Sequence, residues 1–297
     1  TWGDDDELYA AYSEGEGFAA GRRNLSLGFA KITGDPPRHH AEDIPSDADT
    51  PAGEQQIRPT GMLMTGSTLY LFVRNYAAGG DRRHVRLGWS HDHARHWTWA
   101  DWHFSRTFGC PEFVQYGRNN AGARDRYVYI ISQDNDDARD YDTHAVLARV
   151  PRERLSDRGA YEFFRGLDPN GDPLWSRDIE QRRPVFSDPL GVQHVAVSYN
   201  PRLRRYLLTS KHRVSSSEGG SGSQNASLGV FDAPEPWGPW TTVYYDDHWF
   251  RNHYTYHHTI PTKWIDEDGK SMWMVFSGPG GGNNTFCLRR ATLEPVR

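Results

Sequence analysis

The sequence has 297 residues, 36% of them hydrophobic and 13% aromatic with 11 Trp, which supplies the apolar area for a large core and excludes a disordered chain. Its net charge of -5 provides no basic footprint for nucleic acid or an anionic membrane, and no run approaches the ~20 apolar residues that a membrane span requires.

In chain order, short β-branched and aromatic runs recur in groups punctuated by Gly, Pro, Asn and Asp, with almost no helix-period stretch between them. TWGDD leads into LYAAYSEGE and LSLGFAKI. GMLMTG leads into TLYLFVRN, VRLGWSHD and WTWADWHF. CPEFVQYG is followed by RYVYIISQD, HAVLARVP and YEFFRG, and QHVAVSYN by RRYLLTSKHR, SLGVFDAPE and PWTTVYY. TIPTKWI opens the last group, with SMWMVFSGP and TFCLRRATL. Five units of up to four strands, at a period of roughly 50 to 60 residues, are the signature of propeller blades, which bury their faces by stacking around an axis. The expectation is one all-β domain over residues 1–297, a five-bladed β-propeller with four-stranded blades around a central channel. A β-sandwich does not repeat an inner strand, hairpin and outer strand in this order.

LDPNGDPLWSRDIEQRRPVFSD, between the third and fourth units, reads as an inter-blade loop. Ser90 to Trp97 fits S-x-D-x-G-x-x-W, the Asp-box turn, with Ala94 at the glycine position; there the Asp caps backbone amides and the Trp packs beneath, a structural role. Cys110 and Cys287 each lie in an apolar run and read as buried thiols rather than a disulfide. The abrupt start at TWGDDD suits a chain whose export signal has been trimmed, hence a secreted or periplasmic bacterial protein.

In a blade the inner strand leaves one rim and the second strand returns to it, so the starts of inner strands and the loops after second strands share that rim. The inner strands contribute Asp4, Asp5, Met62, Cys110, Glu112, His194, His257 and His258. The loops contribute Glu14, Glu16, Arg74, Asn75, Gln133, Asp134, Lys211, His212, Ser277 and Gly278. A channel needs no such polarity to fold, which marks this rim as the site. Strand alternation lets only one of His257 and His258 face the channel, and the reading favours His258.

TWGDDDELYAAYSEGEGF, SLGFAKITGDPP, FGCPEFVQYGRNNAGARDRYVYIIS, LARVPRERLSDRGAYEFFRGLD, DAPEPWGPWTTV and IPTKW together resemble bacterial proteins near the domain-of-unknown-function family 4185. More distantly, the five-unit pattern and the GPW turn are similar to the five-bladed glycoside hydrolases of the family 43 clan. The resemblance covers nearly the whole chain and implies a propeller that acts on a glycan at its axial mouth, as in the endo-arabinanases assigned to the former family. It carries an acidic residue on the first inner strand over to Asp4 or Asp5. The relatives read GDGNGF and GCPTF where this chain has SEGEGF and GCPEF, so Glu14 and Glu112 depart from the pattern and mark a changed substrate.

Glycosidic hydrolysis needs one carboxylic acid to protonate the leaving oxygen and a second carboxylate to activate water or attack the sugar. Asp4 or Asp5 as base and Glu112 as acid fill these roles, with His194 or His258 as the alternative acid. The cations and imidazoles of the rim point to an anionic poly- or oligosaccharide. A polysaccharide lyase is the alternative: Arg74, His194, Lys211, His212, His258 and Tyr256 suit neutralisation of a uronate and proton abstraction. A non-catalytic glycan-binding propeller is the third reading, since a fold does not by itself fix a function. Glu14, Arg74, Asn75, Asp134, Lys211, His212, Tyr256 and Trp264 are the expected substrate contacts. No cofactor is required and no metal ligands are assigned, because residues i and i+4 of one strand lie about 13 Å apart. A single structural or axial ion is compatible with the channel.

Overall fold

The computed structural model describes residues 1–19, 21, 23–53, 57–74, 84–214, 226–250, 253–279 and 285–294. It is all-β, with short 3-10 turns as its only helical pieces among these residues. The strands form antiparallel groups. The first contains β1 (Leu8–Tyr12), β2 (Leu25–Thr33), β3 (His40–Ile44) and β4 (Thr50–Pro51), with Trp2 bridged to Leu8 on the inner side. The second is β5 (Arg58–Thr65), β6 (Thr68–Arg74), β7 (Val85–Ser90) and β8 (Thr98–Phe104), paired in sequence order. The third holds β9 (Glu112–Phe113), β10 (Tyr127–Gln133), β11 (Asp142–Pro151), β12 (Glu162–Leu167) and β13 (Pro173–Ser176). Next come β14 (Pro184–Asn200), β15 (Arg205–Lys211), β16 (Leu228–Ala233) and β17 (Thr241–Asp246), and finally β18 (Tyr256–Thr259), β19 (Ser271–Gly278) and β20 (Thr285–Thr292).

Period-two alternation makes each group apolar on both faces, which is why they stack. In β6, Leu69, Leu71 and Val73 join a cluster with Tyr9, Leu27 and Phe29 of the first group, while Phe72 points the other way onto Phe113 and Ile130 of the third. Ile131 and Leu147 meet Val195 and Leu208, and Leu207 meets Ile260 and Met272. The circuit closes where Trp264 of the last group packs with Leu8 and Ile32 of the first.

Two expectations change here. The segment read as an inter-blade loop contains β13, which pairs with β12, and the start of β14. Its apolar residues outweigh its Gly and Pro: Pro184 to Val192 pair with β11, and the same strand then continues from Gln193 as the partner of β15. The last inner strand is Tyr256–Thr259, whereas Thr262–Trp264 forms a 3-10 turn after Pro261. Cys110 and Cys287 are both free, as expected, Cys110 buried and Cys287 half-buried.

The Asp-box turn forms as read. Asp92 Oδ1 accepts from the His96 amide at 2.9 Å, and Trp97 Nε1 donates to the Ala94 carbonyl at 3.1 Å. Ala94 takes φ 72 where the pattern has glycine, so the turn holds an alanine in the left-handed region. Asp92→Ala is expected to lower stability by about 1–2 kcal/mol, the usual worth of a capping side chain, in chemical denaturation while leaving any glycan turnover unchanged.

Candidate functional site

One rim collects the functional groups. The second strands end there in Arg74, Gln133, Lys211 and Gly278, and the inner strands begin there at Arg58, Glu112, Gln193 and Tyr256. Three of those inner strands are irregular at this level. Register shifts fall between Pro59 and Met62, between Gln193 and Ala196, and between Tyr256 and Thr259. Gly61 lies in the first, pressed against the neighbouring inner strand: a Cβ there would meet Glu112 Cα at 2.8 Å. His194 and His257 lie in the other two, with left-handed φ of 52 and 50. Bulges re-aim side chains, and both imidazoles turn towards the same place: their ring centroids are 4.0 Å apart.

Around this pair the groups are close and buried. Cys110 Sγ is 3.6 Å from His194 Nδ1. Gln133 Oε1 accepts from the His194 amide at 3.0 Å, and Lys211 Nζ lies 4.3 Å from the centre of the Tyr256 ring. Lys211 is fully buried and Arg74 only 7% exposed. Among the described residues no hydrogen bond reaches the Arg74 guanidinium, and its buried Nε has no partner. Glu14, at the end of β1, is ion-paired with Arg58.

Burial dominates the electrostatics. Glu112 keeps some contact with solvent but is enclosed by protein, and desolvation pushes its pKa up to about 8, so the carboxyl is protonated at neutrality. Glu14 moves the other way, below the usual carboxylate range, because Arg58 donates to its ionised form. Desolvation lowers Lys211 to about 7. It also holds His257 down at about 3 and His194 well below its ordinary value, helped by the charges of Arg74 and Lys211, so both imidazoles are neutral. The Cys110 thiol is pushed up to about 12 by burial.

The structure places Glu14, Arg74, Glu112, His194, Lys211 and Tyr256 of the expected set at this rim, leaves Asp134 and His212 there but engaged by other side chains, and turns Asp4, Asp5, His258 and Trp264 elsewhere. Asp4 and Asp5 sit at the opposite rim, because the bridge from Trp2 to Leu8 makes Asp4–Asp6 the turn after the first inner strand rather than its start. Asp4 pairs with His93 at 2.8 Å, and its carbonyl accepts from Arg118, which follows the third group's inner strand. Asp5 accepts from Tyr9 Oη at 2.7 Å and Lys31 Nζ at 2.9 Å. Asp5→Asn is therefore expected to change turnover by less than about 3-fold while costing stability through a lost ion pair of about 0–1 kcal/mol.

His258 faces the interior of the last group, packed against Trp249 with Nε2 2.9 Å from Thr255 Oγ1; the bulge hands the channel to His257 instead. Trp264 is a core residue at the far rim and donates to the Gly34 carbonyl. His212 stacks on Tyr245 and binds Asp247 at 2.9 Å, and Asp134 is occupied by Thr107 and Arg182. Asn75 lies outside the described residues. Arg58 escaped the sequence reading, although its signal, a cation at the head of an inner strand, was available. Cys110 and His257 fell within the rim but were not assigned to the site.

Residues 17–277 match the model of a family described as Domain of unknown function (DUF4185). A comparison with curated protein sequences gives no match. Among solved structures, an exo-beta-1,3-galactanase from Phanerochaete chrysosporium superposes with TM-score 0.50 and 11% identity over 91% of this chain and 53% of that one. A GH32 beta-fructofuranosidase from Bombyx mori gives 0.53 and 11% over 91% and 52%. A GH43 enzyme from Xanthomonas citri gives 0.49 and 12% over 98% and 84%. The chain spans about half the length of the first two. At these identities the likeness to the first two concerns the fold, which is that of β-propeller glycoside hydrolases.

Proposed function

The chain belongs to the family described as Domain of unknown function (DUF4185), and from that premise we propose that it is a carbohydrate-active hydrolase that cleaves an anionic poly- or oligosaccharide at the axial mouth of a five-bladed propeller. The successive strand groups, each packed on the next and the last on the first, support the blade count. The fold shared with glycoside hydrolases supports the substrate class.

Two observations at the same rim carry the reading: a protein-enclosed carboxyl, Glu112, at the head of one inner strand, and a buried guanidinium that has no partner among the described residues, Arg74, at the end of a second strand. An unpaired buried cation is costly to the fold alone and is stabilised when an anionic ligand arrives. In this reading Arg74 and Lys211 hold a uronate, sulfate or phosphate group of the sugar. Glu112, protonated at neutral pH, donates its proton to the leaving glycosidic oxygen. Glu14, kept ionised by Arg58, serves as the second carboxylate, and Tyr256 lines the sugar path. Two environments that drive two carboxyl groups apart in pKa are the arrangement that divides acid from base. The roles first assigned to Asp4 and Asp5 pass to Glu14. These two carboxyl groups suffice without a cofactor, and an extracellular glycan implies a secreted or periplasmic enzyme.

One observation favours a lyase as the second reading: Lys211, buried over the Tyr256 ring and with its pKa lowered to about 7, is poised to take the C5 proton of a uronate whose carboxylate Arg74 neutralises. Product analysis on matched neutral, uronate-bearing and sulfated oligosaccharides tests both. New reducing ends without ultraviolet absorbance support hydrolysis, and an absorbing unsaturated product establishes elimination. Binding without turnover would mean a lectin and defeat both enzymatic readings.

A further inference from the structure

We propose that Cys110, His194 and His257 form a binding site for one soft divalent cation of the zinc class. One ligand atom from each of these residues lies within 4.8 Å of the other two. A tetrahedral zinc ion with Zn–S of about 2.3 Å and Zn–N of about 2.0 Å sets its sulfur and nitrogen ligands about 3.5 Å apart. Cys110 Sγ and His194 Nδ1 are 3.6 Å apart, so that edge of the tetrahedron is already formed. The His257 ring lies against the His194 ring, centroids 4.0 Å apart with 58° between planes, and offers one nitrogen within 4.8 Å of both other ligand atoms.

The backbone supports the site independently. The three ligands come from the heads of three different inner strands, and the two histidines occupy register shifts with left-handed φ. Backbone in that region costs of order 1–3 kcal/mol per residue and persists where the surroundings enforce it, typically at functional sites. Two such residues aimed at one thiol are not needed to line a channel. Second-layer hydrogen bonds fix the ligands: the Cys110 amide donates to Ser132 Oγ at 3.3 Å and the His194 amide to Gln133 Oε1.

A thiolate with two imidazoles selects zinc-like ions over calcium or magnesium, which take oxygen ligands. Binding transfers the Cys110 thiol proton to solvent and leaves the sulfur as the anionic ligand. Three protein ligands leave the fourth position to water or to an anion, and the positive charges of Arg74 and Lys211, which act on both imidazoles, favour the anion. Among the described residues the other such cluster, Asp4, Asp5 and His93, is already engaged by Lys31, Tyr9 and its own internal pair, and serves as the control.

The test uses untagged, chelator-washed full chain. Titration with Zn2+ is expected to show one equivalent bound per chain, and Co2+ to give the near-ultraviolet sulfur-to-metal band that only a thiolate ligand produces. Cys110→Ser abolishes that band, His257→Ala weakens Zn2+ binding at least ~10-fold, and His93→Ala leaves uptake unchanged. No uptake by the wild-type chain, uptake without the band, or a band that survives Cys110→Ser, which would assign it to Cys287, each overturns the proposal. If Cys110→Ser fails to fold, Cys287→Ser decides in its place: a band retained in that variant keeps the assignment to Cys110, and a band lost with it overturns the proposal.

Discussion

Glu112→Gln is expected to lower turnover of a susceptible glycan by at least about 100-fold with the fold intact, the usual scale for removing one general acid. The amide keeps the shape and loses only the transferable proton. The pH profile identifies the role: in chelator-washed wild-type protein, turnover falls as pH rises through about 8, where Glu112 gives up its proton. Stability has the same sign. The unfolded chain releases this proton near the ordinary 4.5 and the native chain only near 8, so between those values the native state holds the additional proton and stability declines as pH rises. The Gln variant removes that slope. Unchanged turnover in Glu112→Gln, measured against correctly folded protein by circular dichroism, would remove Glu112 from the chemistry.

Arg74→Met is expected to raise KM for an anionic substrate about 10- to 100-fold, the worth of a hydrogen bond to a charged group of about 1.5–3 kcal/mol, with a smaller effect on kcat. Neutral oligosaccharides should not discriminate between the two proteins. Stability provides the complementary readout. A guanidinium that is 7% exposed, without a hydrogen-bond partner among the described residues, contributes an uncompensated buried charge, so replacing it with an apolar chain of similar reach should leave Tm unchanged or raise it. A lower Tm with unchanged KM would show that Arg74 serves the fold rather than the ligand.

These two residues were reachable from sequence because each depends on local pattern alone. Arg74 ends the run TLYLFVR and Glu112 follows CP at the head of a short strand, and a second strand's end and an inner strand's start meet wherever blades repeat. Lys211 and His194 follow the same rule. Asp4 and Asp5 failed it by one turn. Their acidity suggested a strand start, but the strand had already passed, and the triad of acids occupies a turn whose charges Lys31, His93 and Arg118 absorb. Trp264 failed for a different reason: an aromatic near a rim reads equally well as a sugar platform or as packing, and only its contact with Leu8 and Ile32 decides.

The repeat of alternating apolar strands, the Asp-box turn and the polar rim were all determined by the sequence itself, since each follows from period-two patterning and turn chemistry within a few residues. Which of two adjacent histidines faces the channel, and that His257 joins Cys110 and His194, was decided only by the tertiary structure. A bulge shifts the alternation by one residue, and whether a strand bulges depends on the neighbour against which it packs, a partner that lies tens of residues away in the chain.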